Sequence, residues 1–173
     1  MNAGNRPEAK YMKKILMTGF CSTSSELLVK KAACKSLILP NDKLLDSQIL
    51  SAEIDQQAYK YIFSFGQKPN IKDKVCIETT ARNGIRSFHT DFAYDKLQQA
   101  FESEKIMVRI SDNAGSSFCN ALYWNMLEYI RDQELKAKIV FLHIPFCKNM
   151  TASEDFCKKI RKGIENFCYL FPM

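Results

Sequence analysis

At 173 residues, with 46% apolar and 25% charged residues, the chain has the length of one compact domain and enough apolar material to bury a core, which excludes a disordered or low-complexity protein. The net charge of +6 raises nucleic acid as a partner, but the lysines are scattered through KKIL, VKKAACK, KDK, ELKAK and CKKIRKG without interleaved aromatics, so no nucleic acid is expected. No apolar run reaches the roughly 18 to 20 residues of a membrane-spanning helix and MNAGNRPEAKYMKK lacks the apolar core of a secretory signal, so the expectation is a cytoplasmic protein without a membrane partner.

In chain order, residues 1–12 read as a disordered arm on a single domain, and KKILMTGF (13–20) as the first strand. SSELLVKKAACK (24–35) carries helix-spaced apolar residues, SLILP (36–40) adds an edge strand, and YKYIFSFG (59–66) and KVCIETT (74–80) are short buried-strand runs. DFAYDKLQQAFESE (91–104) reads as a helix capped by Asp91, followed by the strand EKIMVRIS (104–111). AGSSFCN (114–120) opens the helix CNALYWNMLEYIRDQ (119–133), KIVFLHIP (138–145) is the last strand, and Thr151 with Glu154 forms a capping box for the helix over 151–171. This alternation predicts an α/β fold: a three-layer α/β/α sandwich around a mostly parallel central sheet. If every strand runs parallel, the junctions at TGFCS, FGQKPN, ETTARN, SDNAGSSFCN and HIPF share one edge, and Phe20, Gln67, Arg82, Cys119 and His143 meet there.

Seven cysteines, an odd set without a C-x-x-C pair or zinc-like spacing, read as reduced thiols. Cys119 differs from the other six by its place. At a helix N-terminus the free backbone N–H groups and the dipole favour a thiolate, and the same N–H groups can hold the oxyanion of a tetrahedral intermediate. The competing reading is a small buried residue at a helix start. Of the two histidines, His89 lies in the loop-like RSFHTD, whereas His143 stands at the end of an apolar strand, where it is either a packed structural residue or a general base.

The segment SDNAGSSFCNALYW resembles the active-site segment of the pyroglutamyl peptidase I family, Ser-x-x-Ala-Gly-x-aromatic-apolar-Cys-Asn followed by a helix. VFLHIPF is similar to that family's Phe-Ile-His-Val-Pro-aromatic strand, KKILMTGF to its first strand, FGQ to its Gly-Gln turn, and KVCIETTAR to its Arg-Val-Ala-x-Asn…Ala-Arg stretch. The resemblance runs from about residue 13 to 146. It implies a phosphorylase/hydrolase-like sandwich and a thiol peptidase of the omega type that removes N-terminal pyroglutamyl residues, with Cys119 as nucleophile, His143 as base and neither a metal nor an organic cofactor. It also implies a carboxylate that orients the histidine. Asp73 sits at the matching place in KDKVCIE, while counting from Gly66 brings Glu78 to the expected distance, so both stay open. Phe20, Gln67 and Arg82 match positions that would contact substrate, and relatives of this kind often form homo-oligomers.

The departures concern recognition. The family's Gly-Phe-x-Pro-Phe is GFCSTSS here, the glycine-rich segment after Gly-Gln is KPNIKD, and Ser117 replaces an aromatic. Lost ring-stacking surface weakens the case for pyroglutamate itself. The two function classes are therefore a cysteine hydrolase acting on a pyroglutamyl or related small acyl-amide bond, and a catalytically weakened relative that binds a small ligand or a protein.

Overall fold

The computed structural model describes residues 11–171. Eight strands and five helices alternate along them: β1 (Ile15–Phe20), α1 (Ser24–Lys30), β2 (Lys35–Leu39), α2 (Leu45–Gln56), β3 (Tyr61–Lys68), β4 (Lys74–Glu78), β5 (Thr80–Asn83), β6 (Arg86–His89), α3 (Tyr94–Ser103), β7 (Met107–Ser111), α4 (Phe118–Asp132), β8 (Lys138–Pro145) and α5 (Ser153–Leu170). Six strands form the central sheet in the order β2-β1-β3-β8-β4-β7, and β5 and β6 make a separate hairpin.

The inner strands β1, β3, β4 and β8 are buried at nearly every residue, as expected where helices cover both faces, whereas the edge strands β2 and β7 are largely half-buried or exposed. Alternation divides them between two cores. Ile15, Met17, Phe63, Phe65, Leu142 and Ile144 meet one layer, formed by α1, α3 and α5; Leu16, Ile62, Ile139 and Phe141 meet the other, formed by α2 and α4. The three-layer sandwich follows from that division.

The sheet is mostly parallel but not uniformly so. β2, β1, β3 and β8 form one parallel block and β4 with β7 another, and the two blocks meet antiparallel at β8–β4. The single edge of strand ends expected from an all-parallel sheet is therefore replaced. Only five residues link β3 to β4, too few for the crossover of a dozen or more that a parallel return requires. β8 inserts between them and reads β3 in one direction and β4 in the other.

Three local expectations are also corrected. Asp91 does not cap α3, whose N-cap is Ala93; its carboxylate pairs with Lys138 at the start of β8. Thr151 and Glu154 form no capping box, because the Thr151 amide and hydroxyl both donate to Asp73 and Glu154 pairs with Lys31. α2 and the β5–β6 hairpin had no counterpart among the expected elements; the apolar residues that α2 buries are Leu50 and Ile54, a sparse stripe among polar neighbours. Of the arm read at 1–12, residues 1–10 lie outside the described residues, and Met12 packs against the core.

Candidate active site

The antiparallel junction builds the centre of the site. Cys76 on β4 is the partner of His143 on β8, and Glu78 lies two residues further along the same face. Diagonal neighbours across two strands are within reach of a long side chain. The Glu78 carboxylate closes that gap, with Oε1 2.7 Å from His143 Nδ1. Both groups are removed from water, His143 at 3% and Glu78 at 0% exposure. Burial alone would raise the Glu78 carboxyl, but hydrogen bonds from His143, Ser111 and Lys68 outweigh it and hold the group below the usual carboxylate range. With Nδ1–H donating to Glu78, the imidazole presents Nε2 as its free nitrogen.

Cys119 reaches the same face from α4. Its Sγ lies where a side chain on Gly66 would begin: a Cβ built on that glycine comes within 2.4 Å of the sulfur. Gly66 is in turn the β3 partner of His143 on the adjacent strand. Adjacent strands stand about 4.8 Å apart, so the thiol sits one strand spacing from the histidine backbone, on the face towards which the imidazole projects. Only glycine at 66 leaves room for the sulfur. The start of α4 is fixed by Asn120, whose Oδ1 accepts the Arg82 amide at 2.9 Å and whose Nδ2 donates to the Arg82 carbonyl at 2.8 Å. Arg82 also braces the loop before α4 through Asp112, at 3.2 Å.

The thiol differs from the sequence-based expectation. Burial pushes it up to about 11, against the opposing pull of the Ser117 hydroxyl and the Cys119 backbone N–H. The helix terminus does not prevail over desolvation at 7% exposure. A resting Cys119 is therefore a thiol that needs a base, and the imidazole nitrogen on this face without a partner carboxylate is Nε2 of His143.

Asp73 is not the carboxylate beside the histidine. It stands in the turn before β4 with φ at 46°, and its oxygens accept from the Thr151 amide at 2.7 Å and the Thr151 hydroxyl at 2.6 Å. That places it at the entry to α5, and Glu78 takes the position against His143. Phe20 is packed into the core under α2 and α4 at 3% exposure, so its ring offers no open face. Gln67 lies near the end of β3 with its Oε1 accepting from the Ser24 amide and hydroxyl at 3.1 and 3.3 Å, and alternation directs it to the face opposite Cys119. Arg82 is bound to the loop that leads to Cys119.

Two residues of this region had no sequence-based expectation. Lys68 Nζ lies 3.0 Å from Glu78 Oε1 and 3.1 Å from the Asn113 carbonyl. Asp46 on α2 is fully buried, and its charge acts on the Cys119 thiol. A lysine at the last position of a strand and an aspartate in a sparse helix carry no local signature; only the packing of β3 and α2 against the neighbouring elements gives them meaning. Among the described residues no cluster of three or more His, Cys, Asp or Glu side chains is placed to hold a metal ion.

Comparison with known proteins bears on the family and the fold. The sequence model of the family described as Pyroglutamyl peptidase matches residues 67–164, which include Glu78, Cys119 and His143. A pyrrolidone-carboxylate peptidase of Bacillus cereus is 23% identical over 195 aligned positions, covering 89% of this chain and 90% of the relative. One of Caldanaerobacter subterraneus is 33% identical over 63 residues, 36% of this chain and 31% of the relative. Among solved structures, the pyrrolidone carboxyl peptidase of Fervidobacterium islandicum superposes with a TM-score of 0.79 at 19% identity, over 89% of this chain and 97% of its own. The pyroglutamyl peptidase I of Bacillus amyloliquefaciens gives 0.77 at 17%, over 87% and 94%. The sandwich with one antiparallel seam, and a family match that spans the thiol, the imidazole and the carboxylate, place this chain in the pyroglutamyl peptidase family.

Proposed function

We propose that the protein is a cysteine peptidase of the omega type, hydrolysing the amide bond that follows an N-terminal pyroglutamyl or related small acyl residue. The observation that carries the reading is the buried Glu78–His143 pair on the face where the Cys119 sulfur lies over Gly66. In this reading His143 Nε2 takes the Cys119 proton as Sγ attacks the acyl carbon, which is how a thiol held at about 11 becomes a nucleophile at neutral pH. Glu78 stabilises the imidazolium that forms. The C–N bond then breaks, the imidazolium gives its proton to the leaving amine, and an acyl-thioester remains. Water attacks the thioester with His143 again as base, releasing the acid and restoring the thiol. The first backbone N–H groups of α4, which have no partner within the helix, would be the donors for the developing oxyanion.

A second reading, a family member that binds a small ligand or protein without turnover, is favoured by the packed ring of Phe20 and the hydroxyl-rich GFCSTSS segment. Cleavage of a fluorogenic pyroglutamyl amide decides between them. Under the enzyme reading the wild type turns it over slowly, and Cys119→Ala or His143→Ala lowers the rate by about 10³-fold or more. A wild type inert towards pyroglutamyl amide and a panel of other N-terminal acyl-amides would leave the binding role. The same reading places the protein in the cytoplasm, supported by seven free cysteines; no helix among the described residues is long and apolar enough to cross a membrane. Self-association into a homo-oligomer is part of the proposal and is read from the mass in solution.

A further inference from the structure

A carboxylate buried against a histidine is costly unless a further cation or hydrogen bond meets it. At Glu78 the other cation is Lys68, at the end of β3, 3.0 Å from the same Oε1 that bonds His143. The ammonium also donates to the Asn113 carbonyl at 3.1 Å, in the loop that runs from β7 to Cys119. One side chain thus ties together the strand beside the thiol, the carboxylate behind the base and the loop that delivers the nucleophile. Lys68 and Glu78 both occur where the family pattern has other residues: KPNIKD replaces the glycine-rich segment, and Glu78 falls at the asparagine of Arg-Val-Ala-x-Asn.

We propose that Lys68 is a positioning residue for the thiol chemistry, acting through Glu78: it holds the carboxylate in place while sharing its charge, so that His143 releases its proton more readily than a bare carboxylate partner would allow. This inference rests on the thiol-peptidase reading of the site. The sign follows from the order of charges. Glu78 stabilises a protonated His143, and a cation on the same oxygen weakens that stabilisation. The other groups around Glu78 do not supply this effect. β4 contributes the Cys76 thiol, β7 the Ser111 hydroxyl and the exposed Arg109 that pairs in register with Cys76, and α4 the Cys119 thiol and Tyr123, whose hydroxyl donates to the Glu78 carbonyl at 2.9 Å. Lys68 is the cation within hydrogen-bond distance of the carboxylate.

The test follows the proton on His143 directly. Only His89 and His143 contribute imidazole signals, so an NMR titration of the full chain separates them, and His89→Gln assigns them. In Lys68→Met the His143 midpoint moves to higher pH by about one unit, a tenfold tighter hold on the proton. Lys68→Arg returns it towards the wild type, and His89 does not move. If turnover is measurable, the acid limb of kcat/KM shifts by the same amount, with kcat falling more than KM rises. An unmoved His143 midpoint in folded Lys68→Met overturns the proposal, and so does a shift that Lys68→Arg fails to reverse. Lys68→Gln provides a second neutral variant if methionine disturbs folding. A protein that shows the titration shift but no peptidase activity retains the Lys68 role and loses the proposed function, so the two failures are distinct.

Discussion

Two regions of the sheet carry the residues that the resemblance to the family singles out, and they are built differently. At the β8–β4 seam every group faces a partner across strands: His143 meets Glu78, Glu78 meets Lys68, and Cys119 fills the space over Gly66. At the ends of β1, β3 and β8 around α1 the polar groups are turned on their own backbone. Thr23 Oγ1 donates to the Phe20 carbonyl at 2.7 Å, Ser25 Oγ accepts the Phe20 amide at 3.0 Å, and Ser24 Oγ donates to the Pro145 carbonyl at 2.7 Å. An open cleft of about 520 Å³ lies beside them, its lining a mixture that includes the polar Ser22, Thr23, Glu26 and Gln67 and the apolar Leu27 and Phe146. The contrast teaches that the polar groups of the seam are held by partners on neighbouring elements, whereas those around α1 are taken up by nearby backbone. Glu78, and not Asp73, stands against His143 at the seam, and the hydroxyls of GFCSTSS lie around the start of α1.

The strongest way to break that contrast is to exchange the two acidic residues. Glu78→Gln removes the charge behind His143 and lowers kcat/KM by about 10²- to 10⁴-fold, whereas Asp73→Asn leaves turnover within about twofold and costs roughly 1 kcal/mol of stability through Thr151. Paired kinetics and denaturant melts check both. Comparable losses of turnover in the two variants would return Asp73 to the site. Next in size is Gly66→Ala, whose methyl meets the sulfur at 2.4 Å. It costs about 1 to 3 kcal/mol by overpacking and displaces the thiol, so activity falls with stability in the same variant. The double variant Gly66→Ala/Cys119→Gly, which removes the sulfur, recovers most of the stability and none of the activity.

The smallest effect is on pH dependence. The folded Glu78 carboxyl lies below its ordinary value of 4.5, so its contribution to stability is present above that pH and is lost as pH falls through the lower folded value. Below pH 4.5 the wild type therefore loses stability more steeply than Glu78→Gln, by at most about 1.4 kcal/mol per pH unit, the slope for one proton. Parallel slopes in chemical denaturation at about pH 3 to 5 would count against an ionised Glu78 in the folded state.

Much of the fold was legible because burial on both faces leaves an unbroken apolar run, as in VFLHIP, and the helices α3, α4 and α5 carry dense apolar spacing. Strand direction was not legible from periodicity, since a run reads the same both ways. The short β3–β4 link did carry the information, because five residues permit only a reversal. In the site, Cys119 and His143 stand out as single positions at element ends. The choice between Asp73 and Glu78 depended on register across β8, which a linear count cannot supply: Asp73 stands just before β4, outside the stretch that pairs with β8, whereas Glu78 closes that stretch. The thiol's rise to about 11 was hidden for a related reason. Helix position is local and visible, whereas desolvation is set by α2, β3 and β8 together.

The insertion of β8 between β3 and β4 has a consequence for how the chain is made. Its neighbours on both sides are synthesised well before it, and His143 and Glu78 are 65 residues apart. A nascent chain ending in α3 holds two buried-type strands with an unfilled slot between them, each edge a row of unpaired amides and carbonyls. Pairing at such long range is slow to nucleate, and open edges of this kind are where chains associate wrongly. The last strand to emerge is therefore both the keystone of the sheet and the carrier of the proposed base, so the proposed centre cannot exist in any partly folded species that lacks β8. On that reading, activity is acquired in the same event that closes the sheet.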